Sequence, residues 1–218
     1  MGTIRAHSDS EIQARKDEIL KSAAELLSTG DWGSLTLATV AEKTSISRPS
    51  MYNYYKTKEE MYLDLMVREY ADWKSNLEAR LSVPLSRSDF CHVLVDSLWE
   101  RDLLTMLMTL YSELPLEKCR PCFLDNYNQA LHQFYLRFSE RLSSNFPNAS
   151  EKDRNAFHVQ FVRYCVTFRG MIHFPKEQLE LIKSLGTFGE LTDTKAICYD
   201  GLMLLSAGLE QGRGSDVP

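Results

Sequence analysis

The chain has 218 residues, 44% of them apolar and 25% charged, with a net charge of −5. That composition supports a sizeable core and excludes a disordered chain, while the acidic balance excludes a protein coated in nucleic acid. No apolar run reaches the roughly 18–20 residues that cross a bilayer. The opening MGTIRAHSDSE lacks the apolar stretch of a signal peptide, and Ala6 stands where myristoylation needs Ser or Thr. A cytoplasmic protein without a membrane partner is expected. Five cysteines, Cys91, Cys119, Cys122, Cys165 and Cys198, form an odd set that suits free thiols in a reducing compartment.

Helical periodicity runs through the whole chain. Ile12, Ile19, Leu20, Ala23, Leu26 and Leu27 fall on one face of a first helix, which Gly30 stops before the link Asp31-Trp32-Gly33. Thr36 can cap a second helix with Leu37, Val40 and Ala41 on its buried face, and Thr44-Ser45-Ile46 makes a turn. Ser47 caps a third helix, in whose first turn Pro49 is tolerated. Thr57-Lys58-Glu59-Glu60 reads as a capping box at the start of a long fourth helix. Leu65, Met66, Tyr70, Trp73, Leu77 and Leu81 carry that helix to Val83-Pro84.

Beyond Pro84 the pattern predicts helices over roughly 88–112, 120–145, 151–173 and 193–210, with breaks at Leu114-Pro115, Phe146-Pro147-Asn148 and Phe174-Pro175. Residues 174–191 read as a short helix plus loop, and the tail 213–218 as disordered. Domains are placed at 1–58, a small helical module, and at 59–212, a larger one. The boundary thus falls at the fourth helix.

The segment TLATVAEKTSISRPSMYNYYKTK, residues 36–58, carries the functional signal. From Trp32 to Lys58 four bases face one acid, a local +3 on a body that otherwise carries −8. In a helix-turn-helix the second helix enters the major groove and the first crosses the backbone. Arg48 suits guanine and Asn53 suits adenine. Ser50, Tyr52 and Tyr54 offer hydroxyls, and the Tyr54 ring can press on a thymine methyl. Thr36 and Lys58, each near a helix start, can meet phosphates. The alternative is a plain three-helix core with Tyr52 and Tyr55 packed inside. For Tyr55, four residues after Met51, packing is the expected role.

Residues 12–65 resemble the N-terminal domain of the TetR family of bacterial transcriptional regulators. The resemblance rests on the long first helix, Leu35-Thr36-Leu37, Val40-Ala41-Glu42, Ser47-Arg48, Met51-Tyr52-Asn53-Tyr54-Tyr55 and Lys58-Glu59-Glu60-Met61. It implies DNA contacts at Thr36, Arg48, Ser50, Tyr52, Asn53, Tyr54 and Lys58. It also implies an all-α fold in which residues 59–212 form a helical ligand-binding and dimerisation domain. The expected protein is therefore a homodimeric repressor that holds a palindromic double-stranded operator and is released by a small-molecule effector. Ser45 stands where the family usually has Gly, and Tyr55-Lys56 where it has Phe followed by Pro or a small residue.

In the C-terminal module the helices 151–173 and 193–210 are apolar over most of their circumference and need cover on more than one side. By the resemblance, Phe157, Val162, Val166, Leu202, Leu205 and Leu209 form a dimer interface; the alternative is burial within one subunit. Pocket candidates are Trp99, Met106, Tyr111, Phe123, Tyr127, Phe134, Arg163, Tyr164 and Phe168, which combine aromatic walls with polar groups. Plain core is the competing role for each of them. Arg163, a charge between Val162 and Tyr164, calls for an acid or an anionic ligand.

Cys119-Arg120-Pro121-Cys122 raises a thiol-redox-sensing regulator as an alternative, since Arg120 near a helix start would favour a thiolate. No metal site, cofactor or catalytic residue is expected. The five histidines are scattered and no nucleophile has a recognisable partner, so a helical enzyme or ligand carrier is the remote rival.

Overall fold

In the computed structural model the described residues are 9–28, 33, 35–111, 113–173, 176–185 and 193–211, and every regular element among them is helical. The Gly30 stop, residue 174, the loop 186–191 and the 213–218 tail lie outside them. The helices are α1 (Asp9–Ser28), α2 (Leu37–Glu42), α3 (Arg48–Met51), α4 (Lys58–Arg80), α5 (Arg87–Trp99) and α6 (Asp102–Tyr111). After a 3-10 turn at Leu116–Lys118 come α7 (Pro121–Asn145), α8 (Glu151–Ile172), α9 (Lys176–Leu185), α10 (Thr194–Leu205) and α11 (Ala207–Gln211). No helix among the described residues is long and apolar enough to cross a membrane.

The chain divides into two compact units. Unit 1 takes in residues 1–68 and 113–129, and unit 2 takes in residues 69–112 and 130–218. The division falls inside α4, after Arg68, and inside α7, after Gln129. Unit 1 thus reaches further than the expected boundary at residue 58 and recruits a segment distant in sequence.

In unit 1, α1 packs on α2 and α2 on α3. Ile19, Leu20, Ala23, Leu27, Leu37, Val40, Ala41 and Met51 are buried on the faces that the periodicity assigns to their helices, whereas Ile12 is exposed and Leu26 half-buried. Burying side chains of this size contributes about 1.5–3 kcal/mol each. Unit 2 is built on α8, which meets α6, α10 and α11, and on the pairing of α5 with α10. Its centre is a row of rings: Trp73 stacks on Phe134 at 4.4 Å, Phe138 on Phe161 at 5.0 Å, and Tyr164 meets Phe168 edge-on at 5.6 Å. Trp73 Nε1 donates to Ser97 Oγ at 3.0 Å, and Tyr164 donates its hydroxyl to the Cys198 carbonyl at 2.7 Å, so the polar tips of these rings are satisfied.

Two expected helices are divided. The 88–112 helix breaks at Glu100-Arg101, where no Gly or Pro marks the sequence. The Arg101 side chain donates to the Asp72 carbonyl, and Asp102, opening α6, pairs with Arg169. The 193–210 helix breaks at Ser206, whose buried hydroxyl donates to the Met203 carbonyl and meets Cys91 Sγ at 3.2 Å. Each break thus lies beside a residue that also has a partner far away in sequence.

Candidate nucleic-acid interface

The reader segment is held by caps. Thr36 accepts from the Thr39 amide at 3.1 Å while Thr39 Oγ1 accepts from the Thr36 amide at 2.9 Å, a reciprocal box that fixes the start of α2. Ser47 Oγ accepts from the Ser50 amide and opens α3, with Pro49 in its first turn. The helix is short. From Met51 the chain tightens, the Asn53 amide donating to the Ser50 carbonyl and the Tyr54 amide to the Met51 carbonyl, both at 3.0 Å. Tyr52, Asn53 and Tyr54 therefore stand on a turn that extends α3.

The turn before α3 is anchored to α1. Glu18 accepts from the Ser45 amide at 2.5 Å and from its hydroxyl at 3.0 Å, and Arg15 donates to the same hydroxyl at 2.6 Å. The amide bond from Ser45 is the main cause that holds the Glu18 carboxyl below the usual range. A glycine at position 45 would supply the amide but not the hydroxyl, so the serine here has its own structural use.

Met51 and Tyr55 are fully buried, and Tyr55 donates its hydroxyl to Asp64 at 2.9 Å, while Lys16 pairs with the same carboxylate at 3.1 Å. Facing outward are Thr36, Arg48, Tyr52 and Asn53; Ser50, Tyr54 and Lys58 are half-buried. Among the described residues the side chains of Arg48, Tyr52, Asn53 and Tyr54 make no hydrogen bond or ion pair. The packed alternative for Tyr52 is excluded by its 42% exposure. An unpaired guanidinium, amide and phenol on one short turn is a surface prepared for external acceptors and donors.

The end of this segment is fixed by an unexpected partner. Glu60 is fully buried, and Thr57 Oγ accepts from its amide at 3.3 Å, but its carboxylate does not close the expected capping box. It takes Arg120 instead, through Nε and Nη2 at 2.8 Å each and through the Arg120 amide at 2.9 Å. The Lys56 amide adds a bond at 2.6 Å. Burial would raise this carboxyl, but the bonds from Arg120 and the Lys56 amide outweigh it and hold it below the usual carboxylate range. Arg120 also donates to the Tyr54 carbonyl at 2.7 Å and lies 4.8 Å over the Phe123 ring. Sequence reasoning tied Arg120 to the neighbouring cysteines and missed its role here, which only the charge buried at Glu60 signals.

This geometry corrects the reading of Cys119-Arg120-Pro121-Cys122. Cys119 is buried, and its thiol is pushed up by burial first and by the Glu60 charge next, so Arg120 creates no thiolate there. Cys122 is exposed, and both are free thiols. No group of three or more His, Cys, Asp or Glu among the described residues is placed to hold a metal ion.

The expected pocket residues are not gathered in one cavity. Phe123 and Tyr127 belong to unit 1, where Phe123 lies 5.7 Å from the Tyr55 ring. In unit 2, Met106, Phe134, Tyr164 and Phe168 are buried in the core, Tyr111 is half-buried, and Trp99 is exposed with its edge on Phe168 at 6.4 Å. The cavity beside Phe134 holds only about 20 Å³, room for a single water. Arg163 is exposed on α8, so water serves the charge and no buried acid is required.

The expected dimer residues divide as well. Phe157, Leu202 and Leu209 are buried within their own subunit, whereas Val166 and Leu205 are exposed and Val162 is half-buried. Leu204, 79% exposed, and Val159, 53% exposed, stand outside the six expected interface residues, because a helix apolar all round does not reveal which side is covered within the chain.

Known proteins agree with this architecture. Residues 19–65 match the model of the bacterial regulatory proteins of the tetR family. A TetR/AcrR-family regulator from Thermobifida fusca YX-ER1 superposes with a TM-score of 0.61 at 15% identity, over 89% of this chain and 98% of its own. A TetR regulator from Rhodococcus sp. RHA1 gives 0.53 at 14% identity, over 91% and 98%. AmtR of Mycobacterium smegmatis gives 0.51 at 13% identity, over 99% and 92%. No curated protein sequence matches the chain. The helix-turn-helix of residues 36–58 lies in the segment that matches the tetR-family model, and the chain shares its all-helical fold with these regulators over 89–99% of its length.

Proposed function

We propose that this chain is a ligand-responsive repressor that binds a palindromic operator as a homodimer and lets go when a small molecule binds. The observation that carries the reading is the outward turn Arg48–Tyr54, where the side chains of Arg48, Tyr52, Asn53 and Tyr54 have no hydrogen-bond or ion-pair partner among the described residues and stand on a capped frame. Arg48 and Asn53 read base edges; Thr36, Ser50, Tyr52, Tyr54 and Lys58 position the turn on phosphates and sugars. The supporting argument for a dimer is the exposed apolar surface of Val159, Val166, Leu204 and Leu205, which water penalises until a second copy covers it. Two-fold symmetry of the protein then demands two-fold symmetry of the operator, with half-sites about 34–36 Å apart.

In unit 2 the row Trp99, Phe168 and Tyr164 is our candidate for a ligand wall, because edge-on rings can part to admit a flat apolar molecule. A ligand that alters the spacing of the two readers weakens a symmetric site without touching DNA. Selection of bound duplexes from a random pool, followed by gel shift, tests the reading. Enrichment of an inverted repeat supports it, and a pool that stays unenriched while binding remains salt-sensitive refutes the specific reader.

A further inference from the structure

A cleft of about 460 Å³ opens within unit 1, between α1, the α3 turn and the first turn of α7. That volume lies in the range of small-molecule sites, roughly 300–1,000 Å³. Ile12 and the Phe123 ring supply apolar wall; Ser50, Asn53 and Tyr54 supply hydroxyl and amide groups. Its charge is one-sided, since among the described residues Lys16 and Arg120 line it and no acid does. The counter-ions Asp64 and Glu60 hold these cations from outside the lining. Arg120 commits Nε and Nη2 to Glu60 and the Tyr54 carbonyl, which leaves Nη1 without a hydrogen bond among the described residues. The free Nη1 can donate a charge-assisted hydrogen bond to a carboxylate oxygen.

We propose that this cleft is an effector site inside the reader unit, which takes a small aromatic carboxylate and thereby displaces DNA. The proposal rests on the DNA-reading assignment, because Ser50, Asn53 and Tyr54 belong to both the cleft and the reader. The carboxylate meets Arg120 Nη1 and Lys16 Nζ, and the ring lies against Phe123 and Ile12. A DNA phosphate would use the cations but not the apolar wall, so a small organic anion fits the lining better. Bound there, the ligand takes three readers out of use directly, and no change in the spacing of two half-sites is needed.

The test titrates 1-naphthoate into the full chain by calorimetry, then into its complex with a duplex selected from a random pool. Two variants add an acid to the lining. Cys122→Asp places it in the first turn of α7, where a helix accepts negative charge, and Ile12→Glu places it on α1 at a position 39% exposed. The expected result is binding by the wild type with release of DNA, and at least tenfold weaker naphthoate binding by both variants, each melting like the wild type. Absence of naphthoate binding, equal binding by wild type and variants, or binding that leaves DNA in place would each overturn the proposal. Weakened DNA binding by the variants, with a wild type indifferent to naphthoate, would make the cleft a phosphate seat and also overturn it. A wild type that binds no duplex even at low salt defeats the DNA reading itself and the competition with it; the variants' naphthoate affinities distinguish that failure from failure of the cleft.

Discussion

Arg120 and Glu60 form a forked ion pair in which both oxygens of a fully buried carboxylate are occupied by one guanidinium and its own backbone amide. The same guanidinium donates to the Tyr54 carbonyl. A segment outside the helix-turn-helix sequence therefore sets where the reader turn ends.

Removing Arg120 strands the Glu60 charge. Arg120→Ala should cost about 2–3 kcal/mol, near the low end of a broken buried pair because the arginine is itself 39% exposed. A double variant, Arg120→Leu with Glu60→Leu, should lose less than the sum of the single changes, since no charge is then left unpaired. Urea denaturation of the wild type, Arg120→Ala, the two single leucine variants and the double variant measures both statements; strict additivity would refute the coupling.

The same pair sets a pH response. The Glu60 carboxyl is held below its ordinary value in the folded state, so its contribution is fully present above the unfolded value of about 4.3. It is lost as pH falls through the folded value. Asp17, lowered chiefly by its hydrogen bond from Gln13, and Glu18, lowered chiefly by the Ser45 amide, follow the same sign, and all three lie in unit 1. Acid should therefore open unit 1 progressively below about pH 4, with a shallower dependence in Arg120→Ala. Hydrogen exchange of Tyr54 and Tyr55 amides against pH reads the effect, and identical pH profiles for the two proteins would refute it.

Most of unit 1 was legible because its determinants are local. The caps at Thr36 and Ser47, the inward pair Met51 and Tyr55, and the outward Arg48 and Asn53 all follow from spacing within a few residues. Arg120 was not legible, since nothing in Cys-Arg-Pro-Cys says that its arginine fills a hole sixty residues upstream. The same holds at Glu100-Arg101 and Ser206, where a partner distant in sequence lies beside the break. Unit 2 was read least well because its helices are apolar on several faces. Periodicity alone does not separate Leu202, buried, from Leu204, exposed.

The reader turn makes separable predictions for base and backbone contacts. Arg48→Ala and Asn53→Ala should each weaken binding to the selected duplex by about 1–3 kcal/mol and relax specificity at one base position. Lys58→Ala should weaken all duplexes alike and lower the salt slope by about 1. Gel shifts across salt concentrations distinguish the two classes. A uniform loss from Arg48→Ala would reassign it to phosphate.

Solvent exposure sorts the thiols. Cys122 is exposed, whereas Cys91, Cys119, Cys165 and Cys198 are buried and burial pushes each of their thiols up. Iodoacetamide at neutral pH should therefore modify one site in the native protein and all five only after unfolding. Peptide mapping gives the answer, and rapid native labelling of Cys119 would contradict its burial.

Leu204 tests the assembly. At 79% exposure its side chain adds almost nothing to the fold of its own subunit, so Leu204→Glu should leave the melting curve of a monomer unchanged. In the proposed dimer the same change puts a carboxylate into an apolar contact, once from each copy, and such a charge without a partner costs several kcal/mol. Val159→Glu, 53% exposed on α8, should act in the same sense. Leu202→Ala is different in kind, because Leu202 is fully buried and its loss leaves a cavity costing about 2–5 kcal/mol in the subunit itself. Sedimentation velocity at micromolar concentration should show a dimer for the wild type and monomers for the two glutamate variants. Operator affinity should fall with the dimer, since a single reader engages only one half-site. A wild type that sediments as a monomer would refute the dimer, and glutamate variants that still dimerise would move the interface to another face.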